Sequence, residues 1–179
     1  MKAIIVYNSK TGFSKRYAEW AAEELGCEAV PYKGFDKAAA GDDGLVVFFT
    51  RIQAGRIDKL NDVKKLLGGG ADGRLVVAAV GAAPASAEDT INKYWADTLT
   101  EEELAIIPHF YMQGGLDFEK MGFAERSLLK MAMKILKNKK DKTDEESIFE
   151  EAISGSFDNS SRENIGPLVE YVRGRESEG

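Results

Sequence analysis

Two runs in this chain, LVVFF at 45–49 and LVVAAV at 75–80, contain no polar residue. A strand with one wet face alternates apolar and polar side chains, so an uninterrupted run implies burial on both faces. Parallel sheets covered by helices on both sides meet that demand. A third β-branched run, AIIVY at 3–7, reads the same way. Weaker strands are predicted at 27–31 and 107–112. Between them lie amphipathic stretches. Residues 14–25 place Tyr17, Ala18, Ala21, Ala22 and Leu25 on one helical face, with Gly26 as the stop. Residues 58–67 do the same with Leu60, Val63, Leu66 and Leu67, ending at Gly68-Gly69-Gly70. Residues 87–104 read as one helix or two short ones, and further helices are predicted at 122–139, 144–153 and 161–173. Strand–helix alternation at this spacing gives an α/β, doubly wound fold.

The length of 179 residues fits one domain over 1–179. No internal repeat is present, and 138–144 is the one linker-like stretch. The net charge of −6 argues against nucleic acid as the main partner, because phosphate attachment relies on clustered Lys and Arg. Cys27 is the single cysteine, so an intramolecular disulfide is excluded; the reading is a small buried hydrophobe. The apolar run at 3–7 is too short for a signal-peptide core, and no stretch reaches the ~20 apolar residues of a membrane span. The expected compartment is the cytoplasm.

In an open parallel sheet, ligands bind beyond the carboxyl ends of the strands. Three loops qualify: 8–14, 51–57 and 81–88. The first reads Ser9-Lys10-Thr11-Gly12-Phe13-Ser14, between a buried strand and a helix. A helix N-terminus offers unpaired N–H groups and the positive end of its dipole. Hydroxyls add donors, and Gly12 allows close backbone approach. Together these predict a phosphate cradle; the plainer alternative is that Ser14 or Thr11 caps the helix. The Walker pattern G-x-x-x-x-G-K-[ST] and the dinucleotide pattern G-x-G-x-x-G are both absent. His109, the single histidine, reads as a strand residue, and no His/Cys/Asp cluster has metal-ligand spacing.

The segment IIVYNSKTGFSKRYAEWAAEEL, 4–25, resembles the flavodoxin family, in which a [ST]-x-T-G-x-[ST] loop holds the FMN phosphate; the match falls on Ser9, Thr11, Gly12 and Ser14. The later segments FYMQGGLDFEKM, ERSLLKMAMKILKNKK and IGPLVEYVRG are similar to those of flavodoxin-domain proteins akin to the menaquinone-dependent protoporphyrinogen dehydrogenases. The resemblance implies a flavodoxin-like three-layer sandwich with a five-stranded parallel sheet of order 2-1-3-4-5. It implies FMN as cofactor, with Ser9, Lys10, Thr11, Gly12, Phe13 and Ser14 at the phosphate. Arg51, Ile52, Gln53, Ala54 and Gly55 would lie on one side of the ring, and Gly81, Ala82, Ala83, Pro84, Ala85 and Ser86 on the other.

Neither ring loop contains the aromatic residue that flavodoxins stack on the flavin. Ile52 or Ile57 is expected to cover one ring face, while Tyr94 and Trp95 fit a core position better. Gly55 suits the peptide that flips in flavodoxins to accept a hydrogen bond from the reduced ring, a flip that needs a residue tolerant of positive φ. Arg51 and Arg56 either flank the ring's N1–O2 edge, where they would raise its potential, or are solvated loop charges. The implied activity is electron transfer with a redox partner protein or a quinone. A quinone-linked flavin dehydrogenase and a flavin-free binding module stay open as alternatives.

Residues 126–142 hold seven Lys/Arg against one Asp, a local charge of +6, so the rest of the chain carries −12. Leu128, Leu129, Met131, Ala132, Met133, Ile135 and Leu136 share this segment, which is expected to form an elaboration (113–143) after the fifth strand. Such a helix either covers the sheet with a Lys-rich outer side or makes peripheral contact with an anionic membrane or a partner.

Overall fold

The computed structural model describes residues 2–41, 44–68, 73–143, 146, 147, 150, 153 and 155–177. Most of the helix predicted over 144–153, and Gly69 and Gly70 at the end of the second helix, lie outside these residues.

Five strands form a parallel sheet: β1 (Ala3–Asn8), β2 (Ala29–Pro31), β3 (Leu45–Gln53), β5 (Leu75–Gly81) and β6 (His109–Gln113). Their spatial order is β2-β1-β3-β5-β6, with β4 (Arg56–Ile57) paired antiparallel to the end of β3. Counting the parallel strands alone, this is the 2-1-3-4-5 order that the family resemblance implies. β3 is central, in register with β1 from Ala3 opposite Leu45 and with β5 from Val46 opposite Leu75.

The apolar runs divide between two cores. Leu45, Val47 and Phe49 of β3, with Val76, Ala78 and Val80 of β5, enter the cluster beneath helices α1 (Phe13–Leu25) and α6 (Gly166–Ser177). Val46 and Phe48, with Leu75, Val77 and Ala79, enter the opposite cluster. That side is covered by α2 (Leu60–Leu66), α3 (Glu88–Ala96) and α4 (Glu101–Ile106). Side chains alternate across a strand, so a strand that feeds two cores has no polar position to offer.

Local signals set most boundaries. α1 ends in a Schellman motif: Gly26 takes φ +65°, its N–H reaches the Glu23 carbonyl, and the Cys27 N–H reaches the Ala22 carbonyl at 3.0 Å. Residues 88–106 split into two helices because Thr100 starts a new one. Thr100 and Glu103 exchange side chain-to-backbone bonds of 2.9 and 3.2 Å, a capping box. The last predicted helix begins as a 3₁₀ turn at Arg162–Ile165, capped by Ser161, before α6 takes over.

The chain after β6 adds a two-stranded antiparallel sheet, β7 (Gly115–Leu116) with β8 (Phe157–Asp158), that the sequence pattern does not reveal. Helix α5 (Phe123–Asn138) follows β7. It does not cover the sheet as the plainer reading expected: of its side chains only Leu136 is buried. No helix among the described residues is long and apolar enough to cross a membrane.

Candidate functional site

At the carboxyl end of β1 the chain turns through Ser9–Gly12. The Ser9 hydroxyl accepts the Gly12 N–H at 3.1 Å, and Gly12, at φ +102°, is the N-cap residue of α1. A Cβ there would meet nothing within 4 Å, so it is the left-handed backbone rather than crowding that calls for glycine. No side chain caps the helix, so the plainer alternative, that Ser14 or Thr11 is its cap, does not hold. The first intrahelical bond runs from the Arg16 N–H to the Gly12 carbonyl at 3.0 Å. The N–H groups of Phe13, Ser14 and Lys15 therefore have no acceptor among the described residues. Neither have the hydroxyls of Thr11 and Ser14 a partner among them, although Ser14 is buried. Donors thus converge at the positive end of a 13-residue helix. Phe13 contributes only its backbone: its ring is buried against Gly114 and Gly115.

The second loop is a hairpin rather than an open loop. β3 continues to Gln53 and returns as β4 through Ala54 at φ +49° and Gly55 at φ +78°. Positive φ at both central residues defines a type I′ turn. Gly55 thus has the positive φ expected of it, and Ala54 takes a conformation that costs an L-residue about 1–2 kcal/mol.

Arg51 is not a solvated charge. Its Nε donates to Asp58 at 2.9 Å, its Nη1 donates to Glu125 at 2.9 Å, and its Nη2 to Gln53. Asn8 also donates to Asp58 at 3.1 Å, and buried Thr50 donates to the Asp58 carbonyl at 2.6 Å. Glu125, from the first turn of α5, accepts Lys10 Nζ at 2.6 Å and the Gly122 N–H at 3.1 Å. Burial pushes the Glu125 carboxyl up, but bonds from Lys10, Gly122 and Arg51 outweigh it and hold the pKa at about 2. One carboxylate from the elaboration thereby fastens α5 to the first and second loops at once. Arg56 is exposed and makes no ion pair among the described residues.

The third loop is fixed from β6. The Tyr111 hydroxyl donates to the Ala83 carbonyl at 2.6 Å, and the Ala87 N–H closes a turn on Pro84. Burial pushes the Tyr111 hydroxyl far up, with Tyr94 and Tyr17 adding to it, so it remains a donor. A Cβ on Gly81 would lie 2.9 Å from both Ile52 Cδ1 and the Tyr111 oxygen. Glycine there lets the second loop, the third loop and Tyr111 come together. Ala85 and Ser86 are exposed at the tip. Trp95 is buried and its ring lies 4.6 Å from that of His109, whose Nδ1 is 2.8 Å from the Ile107 carbonyl; both residues are structural. Among the described residues no group of three or more His, Cys, Asp or Glu could hold a metal.

The sequence reading missed Tyr111, Asp58, Asn8 and Glu125. Asn8 closes β1 and Asp58 directly follows β4, a positional signal at strand ends, whereas Tyr111 is the middle residue of β6 and carries no such signal. Glu125 carried none, since it lies 115 residues from Lys10.

The model of the flavodoxin domain matches residues 4–143. Among curated proteins none matches the chain. Among solved structures, a flavodoxin from the domain Archaea is similar at 12% identity, covering 72% of this chain and 90% of its own, with a TM-score of 0.40. The Trp repressor binding protein of Bacillus subtilis is similar at 12% identity, covering 64% and 85%, with a TM-score of 0.39. From the domain match over 4–143, this chain belongs to the flavodoxin-domain family.

Proposed function

We propose that the chain binds a flavin as FMN and transfers electrons with a redox partner protein or a quinone in the cytoplasm. The observation that carries this reading is the first loop. Three first-turn N–H groups and two hydroxyls lack partners among the described residues and converge where the sheet ends. That donor set suits a phosphate dianion. Thr11 and Ser14 would supply hydroxyl donors, and Phe13, Ser14 and Lys15 the backbone donors. Lys10 is exposed enough to exchange Glu125 for a second anion.

Ile52, Gly55, Gly81 and Ala83 would flank the ring, with Tyr111 supporting the third loop through its contact with Gly81 and its bond to Ala83. When bound, the flavin supplies the redox chemistry. The protein's own part is electrostatic. Asp58 and Glu125 balance Arg51, so the arginine adds less positive potential to the site than an unpaired guanidinium would.

The test is the visible spectrum of the purified protein, followed by titration of the apoprotein with FMN and with riboflavin. FMN is expected to bind far more tightly. Thr11→Val with Ser14→Ala should weaken FMN by about tenfold or more while riboflavin is unaffected, since hydrogen bonds to a charged group are worth about 1.5–3 kcal/mol. Equal affinity for the two ligands would refute the phosphate cradle. A colourless protein that binds neither would leave a flavin-free module.

A further inference from the structure

We propose that the outward face of α5 is a docking surface for an anionic lipid bilayer, on which the helix lies parallel to the membrane plane. Leu128, Met131 and Ile135 follow one another at helical spacing, and they are 58%, 60% and 63% exposed. Phe123, at the start of the helix, is 87% exposed. Beside this apolar row runs a second one, Lys130, Lys134 and Lys137, spaced i, i+4, i+7. None of these three lysines makes a hydrogen bond or ion pair among the described residues. By contrast Lys139 and Lys142, further along, are paired with Glu146 and Glu150. The three lysines, with Met133 and Asn138, line a shallow recess of about 340 Å³.

Charge selects the occupant. Lys130, Lys134 and Lys137 put three positive charges, unpaired among the described residues, on this face of a chain whose net charge is −6, so the attraction is confined to it. A second copy of the chain would bring two such faces together against their own repulsion. A nucleic acid would use the lysines and leave the apolar row in water. A bilayer surface uses both rows at once: phosphates meet the lysines while leucine, methionine and isoleucine enter the acyl boundary. The 16-residue helix is roughly 24 Å long and no helix among the described residues can span a bilayer, so the contact is interfacial. Because Glu125 fastens the first turn of α5 to Lys10 and Arg51, docking would hold the mouth of the loop cluster close to the lipid. The inference is independent of whether those loops bind FMN.

The test is co-sedimentation of the full chain with vesicles. Phosphatidylcholine vesicles containing a quarter phosphatidylglycerol are compared with pure phosphatidylcholine, at 50 and 500 mM salt. Binding is expected to the anionic vesicles at low salt and to fall steeply at high salt. K130E/K134E/K137E should lower the partition coefficient by about 100-fold or more, at roughly 1 kcal/mol per lysine removed. L128S/M131S/I135S should lower it by a similar factor. All six side chains lie outside the core, and matched far-UV circular dichroism checks the fold of each variant. Ile135→Trp should give a fluorescence blue shift on anionic vesicles, reporting insertion rather than adhesion. Failure of the native chain to sediment with anionic vesicles at 50 mM salt would overturn the proposal. So would binding that both triple variants retain, or a dimer that L128S/M131S/I135S dissolves in the absence of any vesicle binding.

Discussion

Glu125→Gln removes one charge from the junction between the elaboration and the two loops while keeping the shape of the side chain. In the folded protein the carboxyl pKa falls from 4.5 to about 2. At about 1.36 kcal/mol per unit, that shift has a ceiling near ~3.4 kcal/mol of stability. Solvent screens part of it, because Glu125 is 19% exposed and its partner Lys10 is 41% exposed. The expected loss in the variant is therefore about 1–2 kcal/mol at pH 7.

The pH dependence has a definite direction. A carboxyl with a depressed folded pKa stabilises the fold above its unfolded pKa, and that contribution fades as pH falls toward the folded value. The difference between native chain and variant should hold steady from pH 7 to about 5, shrink from about 4.5 downward, and vanish near pH 2. Urea unfolding of both proteins across pH 2–7 measures it. Other carboxyls with lowered pKa, such as Asp158 and Glu103, titrate in both proteins and cancel in the difference. A difference that stays flat across the range, or one below about 0.3 kcal/mol at pH 7, would refute the argument that Glu125 is a charged latch.

Three further outcomes follow from local geometry. Ala54→Asn should raise stability by about 0.5–1 kcal/mol, seen as a higher urea midpoint with unchanged slope, because asparagine tolerates the φ of +49° and Asn-Gly is the preferred type I′ pair. Tyr17→Phe should cost about 1–3 kcal/mol. Its buried hydroxyl donates to the Gln113 carbonyl at 2.5 Å and accepts the Ser161 N–H and Asn164 Nδ2, so the substitution strands three groups; thermal unfolding reads the loss. Gly115→Ala should cost about 1–3 kcal/mol, because its Cβ would fall 2.1 Å from the Phe157 carbonyl oxygen across the β7–β8 pair, and faster amide exchange at Asn159 would locate the damage there.

Much of the fold was legible because its signals are short-range. The unbroken runs at 45–49 and 75–80 demanded two buried faces, and the structure gives each run one core on either side. Gly26 marks a helix end by chemistry that acts over three or four residues, whereas the split of 87–104, left open in the sequence, is set by the Thr100 capping box. The site was legible only in part. Ser9 to Ser14 form one contiguous loop, so their spacing was enough to place them at the foot of α1. The alternative that Arg51 is a solvated loop charge fails, and its pairing was not legible, because its two carboxylates come from Asp58 and from Glu125, 74 residues away. The segment from 51 to 57 was expected as a loop, since a two-residue hairpin at Ala54-Gly55 leaves no strand-length pattern behind.

Sequence by itself determined the doubly wound α/β class and the place of the first loop between β1 and α1, because burial period and helix ends are local properties, while the order of the five strands followed from the family resemblance. Tertiary structure decided what α5 does. An amphipathic helix declares that one face is apolar and leaves open whether that face turns inward. Here the chain buries Leu136 and leaves Leu128, Met131 and Ile135 in water, while Glu125 holds the helix beside Lys10 and Arg51. That outcome depends on contacts between residues far apart in the chain, whose energies exist only once the sheet has brought them together.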